Sequence, residues 1–82
     1  MQVSVRKEVH KKISGFPKQV QQELLSAIEL LSAFPSASLD IEKMKGSKNM
    51  FRVRIGSYRI LFISERNTIY VFDADTRSKI YK

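Results

Sequence analysis

Residues 51–62 read F-R-V-R-I-G-S-Y-R-I-L-F. Two runs rich in β-branched and aromatic residues flank Gly56-Ser57, a Gly-X pair that suits a two-residue type II′ hairpin turn. A turn of that length fixes register. Ile55 then faces Tyr58, Arg54 faces Arg59, Val53 faces Ile60 and Arg52 faces Leu61. Side chains alternate across a sheet, so Phe51, Val53, Ile55, Tyr58, Ile60 and Phe62 share one face, expected to pack on helices. Arg52, Arg54, Arg59, Leu61 and Ile63 share the other. Arg54 and Arg59 are therefore directly opposed, a like-charge placement that destabilises a sheet within the roughly 0.2–1 kcal/mol typical of opposed pairs. A sheet tuned for stability alone avoids it. A sheet that holds a phosphate gains from it, because guanidinium groups offer planar, bidentate donors to phosphate oxygens. The competing reading leaves Arg52 and Arg54 as ordinary solvent-facing residues, paired with Asp73 or Asp75.

Working outward, residues 51–55, 58–64 and 68–73 read as three strands, with a second turn at Glu65-Arg66-Asn67. If that second hairpin keeps parity, Tyr70 and Phe72 join Leu61 and Ile63 on the arginine face. The four then form an apolar patch of the kind that marks a partner-binding site, unless the tail or a dimer contact covers them. Upstream, residues 1–5 alternate as a short strand. Residues 6–14, with Val9 and Ile13 four apart and Gly15 behind them, predict a short helix. A second helix opens at Phe16-Pro17, with Pro17 suited to the first helical position. Its apolar stripe is Val20, Leu24, Ala27, Ile28 and Leu31, widened by Leu25 and Leu30, and it stops near Phe34-Pro35. Residues 35–40 read as a loop of small residues, 41–49 as basic and irregular around Gly46, and 75–82 as a short polar tail. The expected fold is α+β: an N-terminal strand, a helical hairpin, then a C-terminal antiparallel sheet packed on the helices. All 82 residues are expected to form a single domain.

With 43% hydrophobic residues, three glycines and two prolines, the chain reads as globular rather than disordered. It has no cysteine, which excludes a disulfide framework and thiolate chemistry and suits a reducing, cytoplasmic setting. No apolar run approaches the ~20 residues of a membrane span. The first six residues carry no signal-peptide core. The net charge is +7, and it is placed unevenly. Residues 1–42 hold five Lys/Arg and five Asp/Glu; residues 43–82 hold ten basic residues and three acidic ones. Such asymmetry points to an anionic partner: nucleic acid, an acidic protein or a membrane surface.

Acid–base or metal chemistry at a phosphate needs titratable side chains or metal ligands near the basic face. His10 is the only histidine; it falls on the first helix, away from the basic face, and reads as a surface residue. A two-histidine site is thus excluded. No carboxylate cluster or Cys/His set has metal-ligand spacing, and Asp73 and Asp75 stand among too many arginines to favour a cation. Arginine, with a pKa above ~12, is a poor general base. Arg52, Arg54 and Arg59 are therefore candidates for a preorganised phosphate site rather than for proton transfer. Lys45 and Lys48 read as phosphate-tracking residues outside the chemical centre. Neither a metal nor a small-molecule cofactor is expected.

The ordered set Lys45-Gly46, Phe51, Arg52, Arg54, Gly56, Tyr58-Arg59 and Arg77-x-x-Ile80-Tyr81 resembles the RelE/ParE superfamily of type II toxin–antitoxin toxins. The resemblance covers nearly the whole chain, since a strand, two helices and a C-terminal antiparallel sheet are also that superfamily's order. It implies a toxin that cleaves mRNA on the ribosome, inhibits translation and is held inactive by a cognate antitoxin. In the RNA-cleaving branch, two basic residues two apart on the second strand lie at the scissile phosphate; Arg52 and Arg54 match them here. Arg59 matches the arginine of the tyrosine-arginine step, and Arg77 the arginine four before the terminal tyrosine. Tyr81 matches that tyrosine, which stacks on the substrate or helps to activate it. Leu61, Ile63, Tyr70 and Phe72 become candidates for antitoxin binding. The chain departs from the pattern at Asp75, where some members carry another arginine, and at Arg52 and Arg54, where some carry lysine. The same scaffold implies two other functions: a ParE-like inhibitor of DNA gyrase, or an inactive homologue that acts only in an antitoxin complex.

Overall fold

The computed structural model describes residues 1–80. Strand β1 (Gln2–Val5) leads into helices α1 (Lys7–Ser14) and α2 (Lys18–Leu30), the latter prolonged by a 3₁₀ turn at Leu31–Ala33. Then follow β2 (Asp40–Lys43), β3 (Met50–Ile55), β4 (Tyr58–Glu65), β5 (Thr68–Thr76) and a closing turn of helix, α3 (Arg77–Ile80). The strands form one sheet in the order β1-β5-β4-β3-β2. β1 runs parallel to β5, and every other neighbouring pair is antiparallel. The expected α+β architecture is the observed one.

The core lies between the helical hairpin and one face of the sheet. Val9 and Ile13 of α1, with Leu24, Ala27, Ile28 and Leu31 of α2 and its extension, meet Val53, Ile60, Phe62, Ile69, Val71 and Ala74. Burying a side chain such as Phe62 or Leu24 contributes about 1.5–3 kcal/mol each. Two aromatic side chains from outside the sheet pin the β3–β4 hairpin at its two ends. Phe34, after α2, packs at 4.9 Å from Phe51 and 5.3 Å from Phe62, while Phe16, between the helices, packs at 5.0 Å from Tyr58. The hairpin is therefore a stiff platform.

Its register is the one expected, from Ile55↔Tyr58 through Arg52↔Leu61. Gly56 alone supplies the positive φ (+58°) at that turn, as type II′ requires. The second turn is tighter than expected: Glu65 pairs with Thr68, and Arg66 (φ 47°) and Asn67 (φ 64°) are both left-handed, the signature of type I′.

Several expectations need correction. The stretch expected to be loop and irregular chain around Asp40–Lys43 is a strand, β2, hydrogen-bonded to β3. Pro17 caps α2 from just outside rather than opening it. Leu25 and Leu30 face solvent instead of widening the buried stripe. The β4–β5 register shifts between Leu61 and Phe62, so that Phe62 faces Val71 while Leu61 faces Asp73. This bulge leaves Phe72 without a cross-strand partner. Phe72 lines a cleft with Arg6, Glu8, Val9, Lys12 and Asp73 beside α1, and Asp73 takes its place beside Leu61.

Candidate functional site

The alternation of β3 and β4 sends Arg52, Arg54 and Arg59 to the face opposite the helices. There Arg77, the first residue of α3, meets them: the four side chains line one cleft of about 190 Å3. Arg77 is brought in by its backbone, whose N–H donates to the Ser57 carbonyl at 2.8 Å and pins α3 on the β3–β4 turn. Arg77 itself is exposed.

Arg59 is different, being only 7% exposed. Its Nη1 donates to the Gly56 carbonyl at 2.9 Å and to the Tyr58 carbonyl at 2.8 Å, so the guanidinium is fixed against its own turn. Its Nε is buried and makes no hydrogen bond among the described residues. A buried donor left without an acceptor costs about 1–3 kcal/mol.

Arg52 and Arg54 have partners that sequence reasoning missed. In the β2–β3 register, Asp40 faces Arg54 and Glu42 faces Arg52. Arg54 Nε donates to Asp40 Oδ2 at 2.9 Å, and Arg52 Nη2 donates to Glu42 Oε1. The ion-pairing partners are thus on the edge strand, not Asp73 or Asp75. Both carboxylate side chains are 56% exposed. Pairs of this kind contribute about 0–1 kcal/mol, so they are exchanged at little cost. Four guanidiniums against two carboxylates leave the cleft net positive. The missed signal was the matching two-residue spacing of Asp40/Glu42 and Arg52/Arg54, which a strand pairing converts into two facing ion pairs.

Asp73 and Asp75 turn instead to Lys12 of α1, whose Nζ lies 2.8 Å from Asp73 Oδ1 and 3.0 Å from Asp75 Oδ2. The hydrogen bond to Asp73, opposed by desolvation and aided by Asp75, raises the Lys12 pKa above 10.5. At Asp75, burial pushes the carboxyl up, but the Thr76 N–H, Lys12 and the charge of Lys79 together bring it below 3.8. The Thr76 N–H donates to Asp75 Oδ1 at 2.8 Å.

Lys45 and Lys48 are exposed on the β2–β3 connection. That loop turns through Gly46 (φ +81°) and is tied by Ser47 Oγ, which bonds to Met44 and Met50 backbone groups. Lys45 lines a second cleft of about 650 Å3 with Glu42, Lys43, Met44 and Arg52. Arg52 is thus the wall shared with the arginine cleft; Lys48 lines neither. Of the four apolar candidates, Leu61 is buried, Ile63 is half-buried and pairs with Tyr70, and Tyr70 is exposed. Phe72 is displaced by the bulge. His10 is exposed on α1, as expected. Tyr81 lies outside the described residues. Among the described residues no group of three His, Cys, Asp or Glu could hold a metal, and no helix is long and apolar enough to cross a membrane.

No protein-family model matches the sequence. The chain is 32% identical over 63 residues to a Methanocaldococcus jannaschii protein named as a toxin, RelE1, a match spanning 74% of this chain and 70% of that protein. Its fold matches a chain of the RelB–RelE antitoxin–toxin complex of Methanococcus jannaschii with a TM-score of 0.81, at 27% identity, over 95% of this chain and 94% of that one. A chain of the archaeal RelE–RelB complex of Pyrococcus horikoshii OT3 matches with a TM-score of 0.79, at 23% identity, over 95% and 96%. The isolated E. coli RelE toxin shares the fold at a TM-score of 0.74 and 14% identity, over 98% and 89%.

Proposed function

The chain belongs to the RelE family of toxins of toxin–antitoxin systems, and we propose from that premise that it is a ribosome-dependent, metal-independent mRNA endoribonuclease that inhibits translation. One observation supports this reading above the others. Arg52, Arg54, Arg59 and Arg77 line a single cleft, and the most buried of them keeps a donor with no hydrogen-bond partner among the described residues. In the proposed reaction the ribose 2′-OH gives up its proton and attacks the adjacent phosphorus, negative charge builds on the non-bridging oxygens, and the P–O5′ bond breaks as the 5′-oxygen takes up a proton, leaving a 2′,3′-cyclic phosphate. Arg59, already immobilised, meets that charge without reorganisation, which is where electrostatic stabilisation is largest. Arg52 and Arg54 exchange their surface carboxylates for phosphate oxygens, and Arg77 closes the cleft from α3. None of these guanidiniums is a competent base. Proton transfer or base stacking is assigned to Tyr81 from its place in the family pattern. Lys45 and Lys48 follow the strand beyond the scissile link. Chemistry this spare leaves substrate geometry to the ribosome.

The partner proposed for the free toxin is a cognate antitoxin, as in the two archaeal relatives solved as complexes with RelB. Its apolar contact is Tyr70 with Ile63 beside it; Leu61 is too buried to contribute much, and Phe72 stands apart on the α1 side. The deciding experiment is tightly controlled expression with mapping of mRNA 5′ ends, alongside translation and gyrase supercoiling assays. In-frame cuts within translated messages are expected. Lost supercoiling with intact messages would replace this reading with gyrase inhibition. Unimpeded growth would replace it with an inactive homologue that works only in an antitoxin complex.

A further inference from the structure

Asp75 stands directly opposite Arg59 in the β4–β5 register. Opposed residues have Cβ atoms about 4.5–5.5 Å apart, close enough for a carboxylate and a guanidinium to pair. Both side chains are buried, each residue 7% exposed. Arg59 Nε has no hydrogen-bond partner among the described residues. Yet no ion pair joins the two among those residues. The carboxylate is turned away: Oδ2 meets Lys12 Nζ at 3.0 Å and Oδ1 accepts from the Thr76 N–H at 2.8 Å.

The topology explains the direction of that turn. β1 covers the outer edge of β5 only as far as Val71. Beyond Val71 no strand among the described residues pairs with that edge, and α1 packs on β5 so that Lys12 reaches Asp73 and Asp75. Lys12 also binds Asp73, at 2.8 Å, so the ammonium is anchored independently of Asp75. Lys79 adds its charge from α3, but among the described residues Lys12 is the only cationic side chain in an ion pair with Asp75.

We propose that Lys12 is a positioning residue for Arg59: by holding Asp75 in that ion pair, it keeps that carboxylate off the guanidinium and leaves Arg59 free to bind phosphate. The proposal rests on the reading of the arginine cleft as a phosphate site. Without Lys12, Asp75 is a half-satisfied buried anion, and the nearest buried cation is the one facing it. A buried charge without its partner is costly enough to drive such a rearrangement. Pairing with Asp75 then satisfies Arg59 Nε from within and removes the acceptor vacancy that an incoming phosphate fills.

The test uses the full chain with inorganic phosphate as the probe, read at the Arg59 Nε–Hε resonance. In wild type and in Asp75→Asn, phosphate is expected to shift that resonance. In Lys12→Met the resonance is expected to move before phosphate is added, and apparent phosphate affinity to fall about tenfold, the equivalent of about 1.4 kcal/mol. The double variant Lys12→Met/Asp75→Asn is expected to recover both, and Lys12→Arg to behave as wild type. If Lys12→Met does not fold, Lys12→Gln is read in the same way. An Arg59 resonance and phosphate affinity unchanged in the Lys12 variant overturn the proposal. So does a folded double variant that does not recover, or a wild type that ignores phosphate. Message cleavage measured in parallel separates the two readings. A phosphate response at Arg59 with no cleavage removes the nuclease and leaves this inference; full cleavage by Lys12→Met removes this inference and leaves the nuclease.

Discussion

The two sides of the arginine cleft are built on different principles. On the β3 side, Arg52 and Arg54 sit near the surface and pair with Glu42 and Asp40 of an edge strand. On the β4 side, Arg59 is buried and its Nη1 is held by two backbone carbonyls. The first arrangement is exchangeable, because exposed ion pairs gain little and are screened by salt. The second is fixed, because its hydrogen bonds are charge-assisted and shielded from water. A site that must first attract a polyanion and then stabilise a transient charge needs both kinds of cation.

That contrast can be broken at its fixed side first. Arg59→Ala removes a buried guanidinium and frees two carbonyls, so activity should fall on the order of 10²–10³-fold and stability by about 1.5–3 kcal/mol. Kinetics and thermal unfolding read the two losses separately. Arg54→Ala should lose comparable activity, on the order of 10²-fold, with unfolding moved by no more than about 0.5 kcal/mol. Growth arrest disappears while antitoxin binding is kept. Equal stability losses in the two variants would erase the distinction between the sides. A smaller effect, of opposite sign, is expected when the edge carboxylates are neutralised. Asp40→Asn/Glu42→Gln should tighten RNA binding by about threefold at low salt, as expected of ion pairs worth roughly 0–1 kcal/mol. A fall in affinity would mean that those carboxylates orient the arginines rather than merely occupy them.

The smallest effect is a dependence on pH. The depressed pKa of Asp75 makes its contribution complete above 3.8 and lost as pH falls past its folded value. The raised pKa of Lys12 makes its contribution complete below 10.5 and lost as pH climbs past its folded value. Stability of the α1–β5 contact should therefore be flat between those limits and decline outside them, as read by amide exchange in α1. A step near neutrality would point to some other titrating group.

How much of this was legible in the sequence varies by element. The β3–β4 register could be read residue by residue, because Gly56-Ser57 allows one turn and the flanking apolar positions allow one face. The helices were legible from Val9, Ile13 and the Leu24–Leu31 stripe. β2 was not, because a polar edge strand with Ile41 as its only strongly apolar residue carries no period of its own; β3 imposes its conformation. The bulge at Leu61/Phe62 left no composition signal, so Phe72 was assigned to the wrong surroundings. Arg77 entered the site by resemblance alone, since nothing in residues 75–80 announces α3. Lys12 was invisible for another reason: its partners lie 61 and 63 positions away, and no local pattern links them.

The parallel pairing of β1 with β5 sets an order of events at birth. β1 has no seat in the sheet until residues 68–71 have followed it. Contacts that far apart in sequence form late. Arg77 emerges later still, so the arginine cleft is completed only after β5 has been made. The cleft thus closes after β1 can be seated, and the antitoxin proposed above has that interval in which to arrive.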